Sequence, residues 1–407
     1  MKMERSMKKL NLIAATGALS LIIGLLSFTG ASAEDSNKNS GDNKSNSNNS
    51  IQEFKGSGTR SHGHPISNSI GAPAAGSKED HSSFVSNDDA NAELNWQQWN
   101  NVNNKATAKA LNSLASNPIS YHSSGALHVY GPAVQIVPVW VGNWGASQAS
   151  KDKKANWNAL LGNLVNSLGA PGSINQKLNV FNTNSLYYLN SPLKPALPTL
   201  VWSDLTSVSI AATGTKDKYG LISVSDANVA TYIQSGIKGL SLSAKPLYVY
   251  IGASDTRLSS GFGTAYCGWH AIGSVRTPNS LSNVPYIAIQ DYSSTVFSRC
   301  SQQTTSPNGN VELDAMASVL VHEIDEALTD PDLATWFDSG GAENADKCAW
   351  TFSTPATTAG FAALPRATNG SKYNYTSNGI NYLIQRNWLA DNLVKDVSNG
   401  TACALTN

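Results

Sequence analysis

The chain has 407 residues, 41% of them apolar and 14% charged, with 28 basic and 28 acidic side chains. That balance excludes a strongly basic nucleic-acid binder and a polyacidic solvating protein. The length allows one large domain or two ordinary ones.

At the N-terminus Lys2, Arg5, Lys8 and Lys9 precede a largely apolar run from Leu10 to Leu26, and Ala31-Ser32-Ala33 gives a small-x-small cleavage pattern. Residues 1–33 therefore read as a signal peptide. No later stretch reaches the roughly 18 apolar residues of a membrane span. The mature chain is expected to be secreted, outside the cell or into a periplasm, with no nucleic-acid partner and no membrane association after cleavage. Its extracellular substrate or partner is not written in any residue pattern.

Residues 34–92 are rich in Ser, Asn and other polar types and bury too little to offset their ordering entropy, so they are expected to form a disordered leader. Within it, Ser61-His62-Gly63-His64 reads as a solvated loop rather than a metal tract. Residues 93–119 form a transition to a folded module over 120–407.

In that module Val134 to Val141, bounded by Gly131-Pro132 and Gly142-Asn143, predicts a strand. Trp157, Leu160, Leu161, Leu164, Val165 and Leu168 recur at a helical period over 155–168. Tyr187-Tyr188 and Leu200-Val201-Trp202 suggest short strands, and Asp226 is placed as the cap of a helix running to Ile237. Pro246 to Ile251 and Tyr286 to Ile289 read as buried strands. Leu313 to Leu328 is the most periodic helix of the chain. This alternation predicts an α/β (or α+β) fold, a mixed sheet flanked by helices, in a zincin-like arrangement around that last helix.

The cysteines are Cys267, Cys300, Cys348 and Cys403, with no C-x-x-C pair. In an oxidising compartment they predict two disulfides rather than a zinc knuckle. Of the three connectivities, Cys267–Cys300 with Cys348–Cys403 closes the shorter loops.

The chemistry concentrates in Val321-His322-Glu323-Ile324-Asp325-Glu326. Leu313, Met316, Leu320, Ile324 and Leu328 gather on one helix face, while His322 and Glu326 stand one turn apart on the other. An imidazole and a carboxylate at that spacing can reach one divalent ion, and Glu323 could act as base toward an ion-bound water, the logic of the H-E-x-x-H helix with Glu326 in place of the second histidine. Zinc is the expected ion and calcium the alternative, since the extra carboxylate favours oxygen-seeking ions. The competing reading is a solvated polar face of a surface helix. Glu343 and Asp346 follow the helix and are candidates for a third ligand and its supporting carboxylate, in either order. His270, beside Cys267, is a candidate for the same cleft.

Taken together, His322-Glu323-Ile324-x-Glu326-Ala327, Thr329-x-Pro331, Trp336-Phe337 and Glu343-x-Ala345-Asp346-x-Cys348 resemble the EXORDIUM, or phosphate-induced protein, family. Cys267-Gly268-Trp269-His270, Asn308-Gly309, Tyr373-Asn374-x4-Gly379 and Tyr382-Leu383-Ile384-Gln385 with Trp388 extend the resemblance, and Val139-Trp140-Val141-Gly142-Asn143 matches more weakly. The resemblance spans about residues 120–407. It implies a secreted, wall-associated protein of a family known mainly from plants and linked to growth signalling, with no firmly established catalytic activity. The Asn/Ser-rich leader and the smaller cysteine count depart from plant members. Two functions therefore compete: a metal-dependent peptide hydrolase using Glu323, and a non-catalytic extracellular signalling or binding protein whose polar cluster is structural.

Overall fold

The structure is a computed structural model. It describes residues 53–65, 119–122, 129–168, 180–205, 209–242, 245–263, 266–277, 280–292, 300–338, 341–353, 358–389 and 403–405. The predicted signal peptide and most of the predicted leader lie outside the described residues.

Strand β1 (Glu53–Pro65) is followed by the short β2 (Ser120–Tyr121) and by β3 (Ala133–Val141). Helix α1 (Gln148–Leu168), helix α2 (Ser185–Asn190), β4 (Thr199–Trp202), β5 (Ile222–Val224) and helix α3 (Asp226–Ile237) come next. Then come β6 (Pro246–Gly252), β7 (Thr256–Leu258), β8 (Tyr266–Thr277), β9 (Ser280–Gln290), helix α4 (Val311–Thr329) and β10 (Trp336–Phe337).

A six-stranded mixed sheet runs in the order β1-β8-β9-β6-β3-β4. β4, β3, β6 and β9 are parallel neighbours, and β8 and β1 add on antiparallel. Every residue of β6 is buried, as expected of a parallel strand covered on both faces. Lys154 of α1 lies over the Trp140 ring, whereas Gly236 of α3 abuts Val139. Successive strand residues point to opposite faces, so α1 and α3 cover opposite sides of the sheet. α4 packs on β8 and β9 and touches α1.

The expected strands at 134–141, 200–202, 246–251 and 286–289 are present, as are the helices at 155–168, 226–237 and 313–328. Two expectations are corrected. Tyr187 and Tyr188 lie in α2, not in a strand; both rings are buried, and their hydroxyls reach the carbonyls of Trp388 and Leu328. The disordered leader does not extend through Glu53–Pro65, which pairs with β8 as the sheet's edge strand. Phe54 supplies the packing there, edge-on to Tyr248 at 5.2 Å and Tyr286 at 5.5 Å. A smaller difference concerns α3: its cap is Ser225, whose side chain accepts from the Asn228 N–H, with Asp226 in the first turn.

The disulfides are Cys267–Cys300 and Cys348–Cys403. No helix of the described residues is long and apolar enough to cross a membrane.

Candidate metal centre

Helix α4 starts at Asn310, whose side chain accepts from the Leu313 N–H at 2.9 Å. Glu312 and Asp314 in its first turn complement the positive end of the helix. Its last turn closes with the Asp330 N–H on the Glu326 carbonyl, just before Pro331. The surface-helix reading does not survive, because every residue from Leu313 to Thr329 is buried. The apolar stripe faces the core, and the polar face is covered by the sheet on one side and by Glu343, Asp346 and Gln385 on the other.

On the sheet side the cover is Cys267-Gly268-Trp269-His270 in β8. A methyl on Gly268 would lie 2.5 Å from Val319 Cγ1 and 3.2 Å from Glu323 Oε1. Only a residue without a side chain lets α4 approach this closely and carry Glu323 against the strand. Gly268→Ala is therefore expected to cost about 1–3 kcal/mol through overpacking, measured by urea unfolding. A neutral result would mean that α4 can shift freely over β8.

His270 is fully buried, as are Glu323 and Glu326. Its Nδ1 lies 3.4 Å from Glu323 Oε2 and 3.6 Å from Glu326 Oε2, and its Nε2 lies 3.6 Å from Glu343 Oε1. Neither ring nitrogen makes a hydrogen bond. Burial opposes a charge on this ring, but Glu323 and Glu326 outweigh it and push its pKa up to about 9.

On the other side His322 Nε2 lies 3.1 Å from Glu326 Oε1 and 3.4 Å from Asp346 Oδ1. The Asp346 N–H donates to Glu326 Oε1 at 3.0 Å. Glu326 is thereby the shared member of two buried groups, His270–Glu323–Glu326 and His322–Glu326–Asp346. Burial raises the Glu326 carboxyl, but His322 and His270 outweigh it and hold it below the ordinary carboxylate range. Burial pushes the Glu323 and Asp330 carboxyls up.

The structure thus brings His322, Glu323, Glu326, Asp346, Glu343 and His270 into one core. Glu343 stands behind His270 rather than beside His322. Two contributors were not among the expected site residues. Asp330 holds the N–H groups of Ala334 and Thr335 at 2.7 and 2.6 Å and bonds toward Glu343. Gln385 donates to His322 Nδ1 at 2.9 Å; its place in a family motif was the only pointer to it. Asp325 turns away to Asn184, whose amide donates to it at 3.0 Å.

Glu323, Glu326, Asp330, Glu343 and Asp346 are thus five buried acids around two imidazoles. Of the buried cations that follow the helix, Lys347 is engaged by Asp338 at 3.1 Å and Arg386 donates to the Cys403 carbonyl at 2.7 Å. Buried carboxylates must be protonated, paired or bound to a cation. This donor set fits a divalent ion of the zinc or manganese kind, which takes imidazole nitrogen with carboxylate oxygen.

Residues 119–394 match the phosphate-induced protein 1 conserved region. The chain is 26% identical over 282 residues to Protein EXORDIUM-like 3 of Arabidopsis thaliana, covering 63% of this chain and 76% of that protein. No solved structure matches it.

Proposed function

The chain belongs to the phosphate-induced protein 1 family, and from that premise we propose that it is an exported, wall- or matrix-associated protein whose buried histidine–carboxylate core holds a divalent cation as part of its architecture. The observation that carries this reading is the excess of buried acids over imidazoles around α4. A cation bound there would offset the excess of buried negative charge and tie β8, α4 and the 343–346 segment together. Two disulfides and an N-terminal signal pattern support export.

The zincin-like hydrolase reading rests on His322, Glu323 and Glu326 standing on one helix beside a mixed sheet. Its difficulty is access. Glu323 has 0% exposure, and a general base must come within hydrogen-bond reach of its substrate. An open crevice of about 870 Å³ lies elsewhere, at the ends of β3 and β6, lined by Asn143, Lys154, Asp204 and Asp255. Burial therefore favours a structural ion over a hydrolytic one.

Elemental analysis of the purified protein, followed by melting with chelator and with zinc or calcium restored, tests this. An ion bound only by the folded state at 100 times its Kd adds about 2.7 kcal/mol. The expected result is a bound divalent ion, a fall in Tm of several degrees on chelation and recovery on zinc addition. A metal-free protein whose Tm ignores chelator and ions alike would end the reading. Cleavage of a broad peptide library that disappears in Glu323→Gln would restore the hydrolase.

A further inference from the structure

The helix motif invites placement of the ion between His322 and Glu326. The amide of Gln385 argues for another seat. Its orientation is fixed from both ends: Oε1 accepts from the Trp350 N–H at 3.0 Å, and Nε2 donates to the Ala345 carbonyl at 2.8 Å. Turned over, it would set donor against donor and acceptor against acceptor. In this orientation Nε2 also lies 2.9 Å from His322 Nδ1. An amide nitrogen only donates, so Nδ1 is the acceptor of that ring. The ring proton then sits on Nε2, facing Glu326 Oε1 and Asp346 Oδ1 at 3.1 and 3.4 Å. A protonated Nε2 has no lone pair for an ion.

His270 is the reverse case. Its ring is 0% exposed, both nitrogens lack hydrogen bonds, and Nδ1 points between Glu323 Oε2 and Glu326 Oε2. Those separations, 3.4 and 3.6 Å, are close to the spacing of about 3.0–3.4 Å between donors that share one ion at bonds of about 2.1 Å. Glu343 lies behind Nε2, where a carboxylate characteristically supports a ligating imidazole.

We propose that the ion seat is His270 Nδ1 with Glu323 and Glu326, built for a zinc-class ion, and that His322 is a positioning residue whose Nε2–H holds Glu326 and Asp346 in place. This seat rests on the reading that the core binds a cation. It makes Glu323 a ligand rather than a base, and it moves the one nitrogen donor from the helix to the sheet. One nitrogen with two carboxylates suits zinc better than calcium, whose sites are made of oxygen alone.

The test is zinc competition against a chromophoric chelator for wild type, His270→Ala and His322→Gln. Glutamine at 322 keeps an N–H donor near the Nε2 position. His322→Gln should therefore stay within the roughly 10–100-fold loss typical of a supporting residue, while His270→Ala should lose zinc beyond about a thousandfold. The opposite ranking would overturn the seat while leaving the cation reading intact. Failure of wild type to bind zinc would overturn the seat, and failure to bind calcium as well would overturn both. Because a core variant can fail to fold, wild-type protein labelled with ¹⁵N-histidine gives a second reading. His322 should show the Nε2–H tautomer with and without zinc, and only His270 Nδ1 should shift to a metal-bound value. A zinc-dependent shift of His322 Nε2 would refute the assignment.

Discussion

Glu326→Ala is expected to lower folding stability by about 3–5 kcal/mol, the range for removing one partner from a buried charged group. On an exposed helix face the same change would stay within about 0.5 kcal/mol. The difference comes from what Glu326 holds. Its Oε1 accepts the Asp346 N–H at 3.0 Å and faces His322 Nε2, and its Oε2 faces His270 Nδ1. Truncation strands a backbone donor and takes a shared carboxylate from two imidazoles in a region sealed from water, and opens a cavity beneath β8. Urea unfolding with and without saturating zinc separates the contributions. Part of the loss should persist without the ion, because the Asp346 N–H is orphaned in either state. The zinc-dependent gain of the wild type should vanish in the variant. A loss near that of a surface glutamate would mean that water reaches this face, and the buried-centre reading would fall with it.

The fold was legible where residue pattern and burial agree. α4 repeats its apolar residues at 3.6 per turn, and β6 is a continuous apolar run suited to burial on both faces. The misses have physical causes. Aromatics favour strands by propensity, but Tyr187 and Tyr188 sit in a two-turn helix because their hydroxyls are needed at carbonyls on either side. β1 is rich in Gly and Ser, so nothing local marks it; it is a strand because β8 offers a free edge and Phe54 finds Tyr248 and Tyr286.

The site divides in the same way. Helical spacing alone brings His322 and Glu326 together. The position of His270 depends on the packing of β8 against α4, a distance set by Gly268, and no spacing along the chain encodes it. The role of Gln385 depends on which way an amide turns, which only its two backbone partners decide. The polar face of α4 looks like a solvated one for the same reason. What buries it lies far off along the chain on both sides: β8 precedes the helix, and Gln385 reaches His322 from 63 residues later.

That covering segment is held at both ends by one disulfide, and its removal is the second large effect expected. Cys348 and Cys403 are separated by 55 positions. Closing a loop of that length restricts the unfolded chain enough to stabilise the fold by roughly 4 kcal/mol. The native side adds a local consequence. Cys348 closes the single helical turn Asp346–Cys348, which presents Asp346 to His322 and its N–H to Glu326. Cys403 pairs with Trp388 in a short ladder, and its carbonyl accepts from Arg386 Nη1 at 2.7 Å. The bond thus clamps the strip that carries both Asp346 and Gln385 over α4. Replacing both cysteines by alanine should lower stability by about 4 kcal/mol and weaken zinc retention as well, although neither cysteine touches the ion seat. The double variant is preferable to reductant, which would also open Cys267–Cys300 beside His270. Cys267→Ala/Cys300→Ala, closing a loop of 33 positions, should cost slightly less by the same chain argument. A Cys348→Ala/Cys403→Ala protein that loses stability but binds zinc as wild type would show that hydrogen bonds alone seat the covering strip. One that loses neither would show that the strip folds without its clamp.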